Sequence, residues 1–307
     1  MGGGGGGGRY VRPWSSSEQQ KIDLAQERER QRLQGSVNSL LNDLLARFNS
    51  RDTDATKNKL EELSNILGEK IEIDQILFGG SVAKHTEVDG VSDIDALVVL
   101  DRSDLRGKSP EEMLNFFYNA LNANIPRIKV DTISQGRLAV TVKYKDGTEI
   151  QLLPALRSEN TIAIAGSGGK SWNDINPRAF QRELTEANNK MNQSLVPSIK
   201  LFKSINSALP KQKQLTGYHI ETMAVDAVKN YDGPKLPRAL LSHLLGHAAE
   251  RVLRPIQDKT GQARTVDAYL GKADSLERRN VSQTLLAMKR RLESAATVAQ
   301  WRTVFEE

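Results

Sequence analysis

The feature that most constrains this chain is the stretch "FGGSVAKHTEVDGVSDIDALVVLD", Phe78 to Asp101. There a Gly-Gly-Ser turn is followed, after a short loop, by Asp93-Ile-Asp95 at the head of an apolar run. The run "ALVVL" reads as a buried strand, and in a strand residues two apart share a face, so Asp93 and Asp95 project side by side. Two adjacent carboxylates repel and are costly to desolvate. A divalent cation is their natural neutraliser, and hard oxygen ligands suit magnesium or manganese. Gly79 and Gly80 permit a close backbone approach, and Ser81, at the expected start of a helix, can offer its N–H and hydroxyl to a triphosphate. Alone, an Asp-x-Asp is usually a solvated strand edge and a Gly-Gly-Ser usually a turn. The joint pattern of strand, turn, paired aspartates and buried strand is far more specific.

Composition narrows the class further. With 307 residues, 38% of them hydrophobic, the chain can build one large core or two closely packed ones. A formal charge of +5 and a pI near 9.3 suit a polyanionic substrate or product. Cysteine is absent, which excludes disulfides, thiolate nucleophiles and cysteine-zinc sites. No apolar run reaches the ~18 to 20 residues of a membrane span, and the N-terminus lacks the apolar region of a signal peptide, so a soluble cytoplasmic protein with no membrane partner is expected.

The chain divides by composition. Residues 1–14, glycine-rich with Arg9, Arg12 and Trp14, read as a flexible tail without assigned function. A helix from about Glu18 to Asn49 follows, its later half striped with Val37, Leu40, Leu41, Leu44, Leu45 and Phe48, and a second covers Thr53 to Leu67. A strand enters the glycine turn, and "ALVVLD" forms the next. A helix with a serine cap and early proline spans Ser109 to Ala123, and strands are expected at "RIKVD", "RLAVTVKYK" and "TEIQLLPAL". Residues 163–177, polar and glycine-rich, read as a loop, and beyond them helices are expected over 177–192, 194–208, 216–229, 236–253, 264–272, 274–293 and 295–306. The fold class is α/β (α+β): a mixed-sheet lobe with N-terminal helices over 15–157 and a helical lobe over 158–307, with the active-site cleft between them.

The signature resembles the polymerase-β-like nucleotidyltransferase superfamily, whose glycine-serine turn precedes a metal-binding Asp-x-Asp. Within it, "GSVAKHTEVDGVSDIDALVVL", "IQLLPAL", "IKLFK", "LTGYHIE" and "AATVAQWRTVF" are similar, in order, to segments of the bacterial CD-NTases, relatives of cyclic GMP-AMP synthase and oligoadenylate synthase. The resemblance spans about Gly79 to Phe305. It implies a nucleotidyltransferase that joins NTPs into a cyclic oligonucleotide second messenger, releasing pyrophosphate, in CBASS-type anti-phage defence. Carried onto this chain, it implies that Gly79, Gly80 and Ser81 bind the donor triphosphate, that Asp93 and Asp95 hold Mg2+ or Mn2+, that Lys200, with Lys203 on the same helix, contacts phosphates, and that Tyr218 stacks on a base. Thr86 is a further donor-site candidate. NTPs are the substrates and an activating or regulatory protein is a possible partner; stable nucleic-acid binding is not required.

One position departs from the family. The strand before Leu-Pro-Ala usually carries a third aspartate, and here it carries Gln151, with Glu149 on the same strand face. A glutamine carbonyl can ligate a metal but brings no charge. A working site using Gln151 or Glu149 is the favoured explanation, beside a slow enzyme awaiting an activator and a chain that has become a nucleotide-binding sensor. A tail-adding or protein-nucleotidylating transferase is the other rival. Taken without the resemblance, Lys200 reads more readily as a solvated helix residue than as a phosphate contact, and Tyr218 equally as core. His243 and His247, four apart on a helix, lack a third ligand and read as structural. His85, beside the donor loop, is a candidate to face a phosphate, and His219 is expected to pack internally. "RERQR" and "KRR" read as solvated helix faces.

Overall fold

A computed structural model describes residues 16–100, 107–158, 161–166, 169–260 and 263–306. The expected tail and Asp101 at the end of its strand lie outside the described residues. The first helix, α1 (Ser16–Phe48), is far longer than its apolar stripe, and only Val37, Leu40, Leu41 and Leu44 are buried. Those side chains join the core of the helical body, not the sheet. The helix α2 (Thr53–Gly68) opens on Asp52, whose carboxylate accepts the Ala55 N–H at 2.9 Å, and sends Leu60, Leu63 and Leu67 into the sheet's core.

Among the described residues the sheet has seven strands: β1 (Ile73–Phe78), β2 (Ile94–Leu100), β3 (Val130–Gln135), β4 (Val140–Tyr144), β5 (Glu149–Ser158), β6 (Thr161–Ala165) and β7 (Trp172–Ile175). The order is β1-β2-β5-β4-β3, with β6 pairing the later part of β5 and β7 pairing β6. Only β2 and β5 run parallel, in a register that sets Asp95 beside Gln151. β2 is central and covered on both faces, which explains its unbroken apolar run. Its even-numbered face, Ile94, Ala96, Val98 and Leu100, packs with α2 and with α3 (Pro110–Asn124). Its odd-numbered face buries Leu97 and Val99 in a smaller cluster with Ala155, Ile164 and Ile175. Asp93 and Asp95 continue that odd face beyond the cluster, where the sheet opens. As the sequence indicates, α3 starts on a capping box, Ser109 with Glu112, and a proline in its first turn.

The second body comprises α4 (Pro177–Lys190), α5 (Leu195–Ala208), α6 (Gly217–Ala227), α7 (Pro237–Arg251), α8 (Leu276–Ser294) and α9 (Val298–Thr303), packed together with the end of α1. Three expectations are corrected. Residues 163–177 are not a loop: Thr161–Ala165 and Trp172–Ile175 form a hairpin, because the alternating Ile162 and Ile164 and the later Trp172 and Ile175 outweigh the intervening glycines. The helical half therefore begins after Asn176. The strand expected at "RIKVD" starts only at Val130, since Pro126 initiates a turn closed by Lys129 N–H on the Pro126 carbonyl at 3.0 Å. The helix expected over 264–272 shrinks to one 3-10 turn, Ala268–Leu270. The carbonyls on either side of it, Asp267 O and Gly271 O, accept from the fully buried Arg278, which also pairs with the Asp267 carboxylate at 2.7 Å.

Candidate active site

The glycine turn is shaped by β2. Gly79 N–H donates to the Asp95 carbonyl at 2.8 Å, and Gly80 takes φ +51°. A Cβ at Gly80 would lie 1.6 Å from Asp95 Oδ2, and one at Gly79 would lie 2.5 Å from Leu97 Cδ1. The glycines thus make room for the side chains of Asp95 and Leu97. Ser81 does not start an α-helix either. Val82–Lys84 make a single 3-10 turn, closed at His85 in the left-handed region at φ 56°.

Asp93 and Asp95 face a cleft of about 570 Å³ between the two bodies, with Ser81 and Lys84 on the same wall and Lys203, Gly217 and Tyr218 opposite. Burial, and then the charge of Asp93, push the Asp95 carboxyl up to about 6 against the pull of Lys84 and Lys203. Asp93 is raised by burial and by Glu149, and is held back by a hydrogen bond from Gln151 and by Arg51. Excess negative charge in a half-buried pocket is what a divalent cation relieves, so the pair fits a hard cation. Among the described residues no group of three His, Asp or Glu side chains is arranged to hold a metal ion, and Glu149 acts on Asp93 through its charge. Protein would supply two ligands and leave the remaining positions to water and phosphate, the usual manner of holding magnesium. Gln151 does not point an oxygen at such an ion by default: its Nε2 donates to Asp93 Oδ2 at 2.8 Å.

Behind the cleft a buried ionic cluster ties the glycine turn to the helical body. Glu221 on α6 is 1% exposed. It pairs with Lys84 at 2.5 Å and Lys203 at 2.7 Å and accepts the Thr86 hydroxyl at 2.5 Å, while Lys203 also donates to the Thr86 carbonyl at 2.9 Å. Burial alone would raise Glu221, but the two lysines bring it below the usual carboxylate value; burial lowers Lys203. Tyr218, at the cleft wall, donates its hydroxyl to Asp258 at 3.0 Å, packs edge-on to Phe180 at 5.1 Å, and carries the Lys84 ammonium 5.1 Å from its ring centre.

The expected site residues therefore divide. Gly80, Ser81, Asp93, Asp95, Lys203 and Tyr218 meet at the cleft, and Gln151 reaches it through Asp93. Thr86 is fully buried against Glu221 and does not line the cleft. Neither does Lys200, 5% exposed, whose ammonium is spent on Asn49 at 2.5 Å and Glu87 at 3.7 Å. His219 is buried with Nδ1 3.0 Å from the Tyr269 hydroxyl, and burial lowers its pKa to about 4. His243 bonds the Ala227 carbonyl and His247 the Asp226 carboxylate. Lys84 and Glu221 were not singled out from sequence, although both lie inside the motif segments: Lys84 three residues after the turn, Glu221 ending "GYHIE".

A glycine-serine turn set against paired carboxylates at the mouth of a parallel strand pair, closed by a helical body, defines a nucleotidyltransferase. The chain belongs to the SMODS family, the Second Messenger Oligonucleotide or Dinucleotide Synthetase domain, whose model matches residues 32–188, and so to the CD-NTases. It is an enzyme of the nucleotidyltransferase class. Similar solved structures include CdnG of Bradyrhizobium diazoefficiens in complex with GTP, at TM-score 0.66 and 14% identity, covering 88% of this chain and 95% of that one. CdnC of E. coli MS115-1 with ATP gives 0.62 and 15%, covering 83% and 92%, and that protein is also known in a complex with HORMA. The Vibrio cholerae DncV cyclic AMP-GMP synthase with nonhydrolyzable GTP gives 0.59 and 9%, covering 95% and 90%. No curated protein matches this chain by sequence. No helix among the described residues is long and apolar enough to cross a membrane.

Proposed function

We propose that the protein is a metal-dependent nucleotidyltransferase that joins NTPs into a cyclic oligonucleotide, releases pyrophosphate, and serves CBASS-type anti-phage defence in the cytoplasm under the control of a regulatory protein. The observation that carries this reading is the placement of Asp93 and Asp95 across one cleft from Lys203 and Tyr218, with Ser81 beside them. A ribose hydroxyl of one nucleotide attacks the α-phosphorus of another; the new P–O bond forms as the bond to the β-phosphate oxygen breaks, pyrophosphate leaves, and the hydroxyl proton passes to solvent water. Asp93 and Asp95 would hold Mg2+ or Mn2+, which when bound would supply the positive charge that favours an ionised hydroxyl and a departing pyrophosphate. Ser81 and the backbone of the turn hold the donor phosphates. Lys203 sets positive charge on the far wall, and Tyr218 presents a ring for a base. Gln151 orients Asp93 through their hydrogen bond. Protein groups do no covalent work, so positioning and charge carry the rate.

Incubating the pure protein with labelled NTPs and magnesium, then resolving products by mass, tests the reading. Cyclic products support it. Linear tails would point to a tail-adding enzyme, and tight nucleotide binding without turnover to a sensor, the second reading that Gln151 favours by withholding a charge from the metal site.

A further inference from the structure

We propose that Arg51 and Lys200 are positioning residues that clamp the loop carrying Asp93, and that neither contacts the nucleotide. The proposal rests on the metal-ligand reading of Asp93 given above. Asp93 precedes the first paired residue of β2, so segment 86–92 sets the direction of its carboxylate. That segment is gripped by the junction of α1 and α2. Asp89 N–H donates to the Phe48 carbonyl at 3.0 Å, and the Ser50 hydroxyl donates to Asp89 Oδ2 at 3.0 Å. Arg51 Nη2 donates at 2.5 Å to the carbonyl of Ser92, the residue immediately before Asp93, and Arg51 Nε lies 3.5 Å from the Asp89 carboxylate. From the helical body, Lys200 on α5 reaches both sides of the same joint, Asn49 and Glu87.

Stability alone is a poor account of this joint. A lysine is buried against a pair of partners, one of them 3.7 Å away, and such pairs often do no better than an apolar replacement. Among the described residues Arg51 Nη1 and Glu87 Oε2 are buried with no hydrogen-bond partner, so the joint is not optimised for stability alone. What the joint does achieve is geometric. The α1 stripe and α5 share the helical core, so the clamp registers Asp93 against the body that carries Lys203 and Tyr218, and a misplacement of an ångström at a reacting centre is enough to lower rate by about 100-fold.

The test uses Arg51→Ala, Arg51→Lys and Lys200→Met in the full chain. Three quantities are read: amide hydrogen exchange over 86–92, affinity for a nonhydrolysable ATP analogue with magnesium, and turnover. For Arg51→Ala and Lys200→Met, exchange over 86–92 should quicken and kcat should fall about 10- to 100-fold, with nucleotide Kd shifting by less than about threefold. Arg51→Lys, which keeps a donor for the Ser92 carbonyl, should recover part of kcat, and added guanidinium should restore turnover to Arg51→Ala. Should Arg51→Ala fail to fold, Arg51→Lys and Lys200→Met carry the same readouts. A phosphate-binding Lys200 would instead raise Kd about tenfold or more and leave exchange unchanged, which overturns the proposal. Unchanged exchange and turnover in both positions overturn it as well. If the wild type makes no oligonucleotide, the functional reading fails, while the exchange measurement still decides whether the clamp exists.

Discussion

Replacing Asp95 by asparagine should make the ligand-free protein more stable at neutral pH while destroying its function. Asp95 has its folded-state pKa raised to about 6 from the ordinary aspartate value of 3.8 by burial and by the neighbouring charge of Asp93. The folded chain therefore holds that proton more tightly than the unfolded chain does. The resulting penalty is absent below about pH 4, grows as pH rises between the two values, and is complete above about pH 6. A difference of about two units, at about 1.4 kcal/mol each, sets an upper bound near 3 kcal/mol, and relaxation of the pocket brings the expectation to roughly 1 to 3. For a chain of this length that is a rise in Tm of roughly 2 to 5 °C. Calorimetry without divalent cation or nucleotide, at pH 7.5 and again at pH 4, should show the gain only at the higher pH. Adding magnesium and a nonhydrolysable NTP should then stabilise wild type and not the variant. No gain at pH 7.5, or an equal gain at pH 4, would refute the argument that Asp95 is held charged against its surroundings.

Gly80→Ala places a methyl where Asp95 Oδ2 now sits and should cut turnover at least about 100-fold, in a protein whose circular dichroism is unchanged. Gln151→Asp replaces a hydrogen bond to Asp93 with a third carboxylate, and a titration of rate against magnesium should show a lower half-saturating concentration. Tyr218→Ala should raise KM for NTP about tenfold, whereas Tyr218→Phe, which loses the hydroxyl bonded to Asp258 but keeps the ring, should keep KM and lose about 1 kcal/mol in urea unfolding. Asp267→Ala strands the buried charge of Arg278 and should lower stability by about 3 to 5 kcal/mol in the same assay.

The centre of the site was legible because its signal is local. The period of two along β2 puts Asp93 and Asp95 on one face whatever the tertiary structure, and the glycines before them mark a close approach. What that approach accommodates was not legible: the partner of Gly80 is Asp95, fifteen positions on, and no local rule names it. Lys84 and Glu221 were overlooked for the same reason, since each reads as a solvated charge until the fold brings α6 against the turn. Lys200 shows the converse, a residue well placed by motif whose ammonium is taken by Asn49, distant in the chain. The hairpin at 161–175 was hidden by its glycines, which masked a short alternating pattern. Arg278 ended the expected helix at 264–272 by claiming its carbonyls, a tertiary effect that periodicity does not carry.

Because the stripe of α1 lies in the helical core while α2 lies under the sheet, the polypeptide passes between the two bodies twice, at residues 49–52 and again near Asn176. Among the described residues, the joint at 49–52 is thus both a covalent tie between the bodies and the point that grips the Asp93 loop, so any displacement there is felt on both walls of the cleft at once.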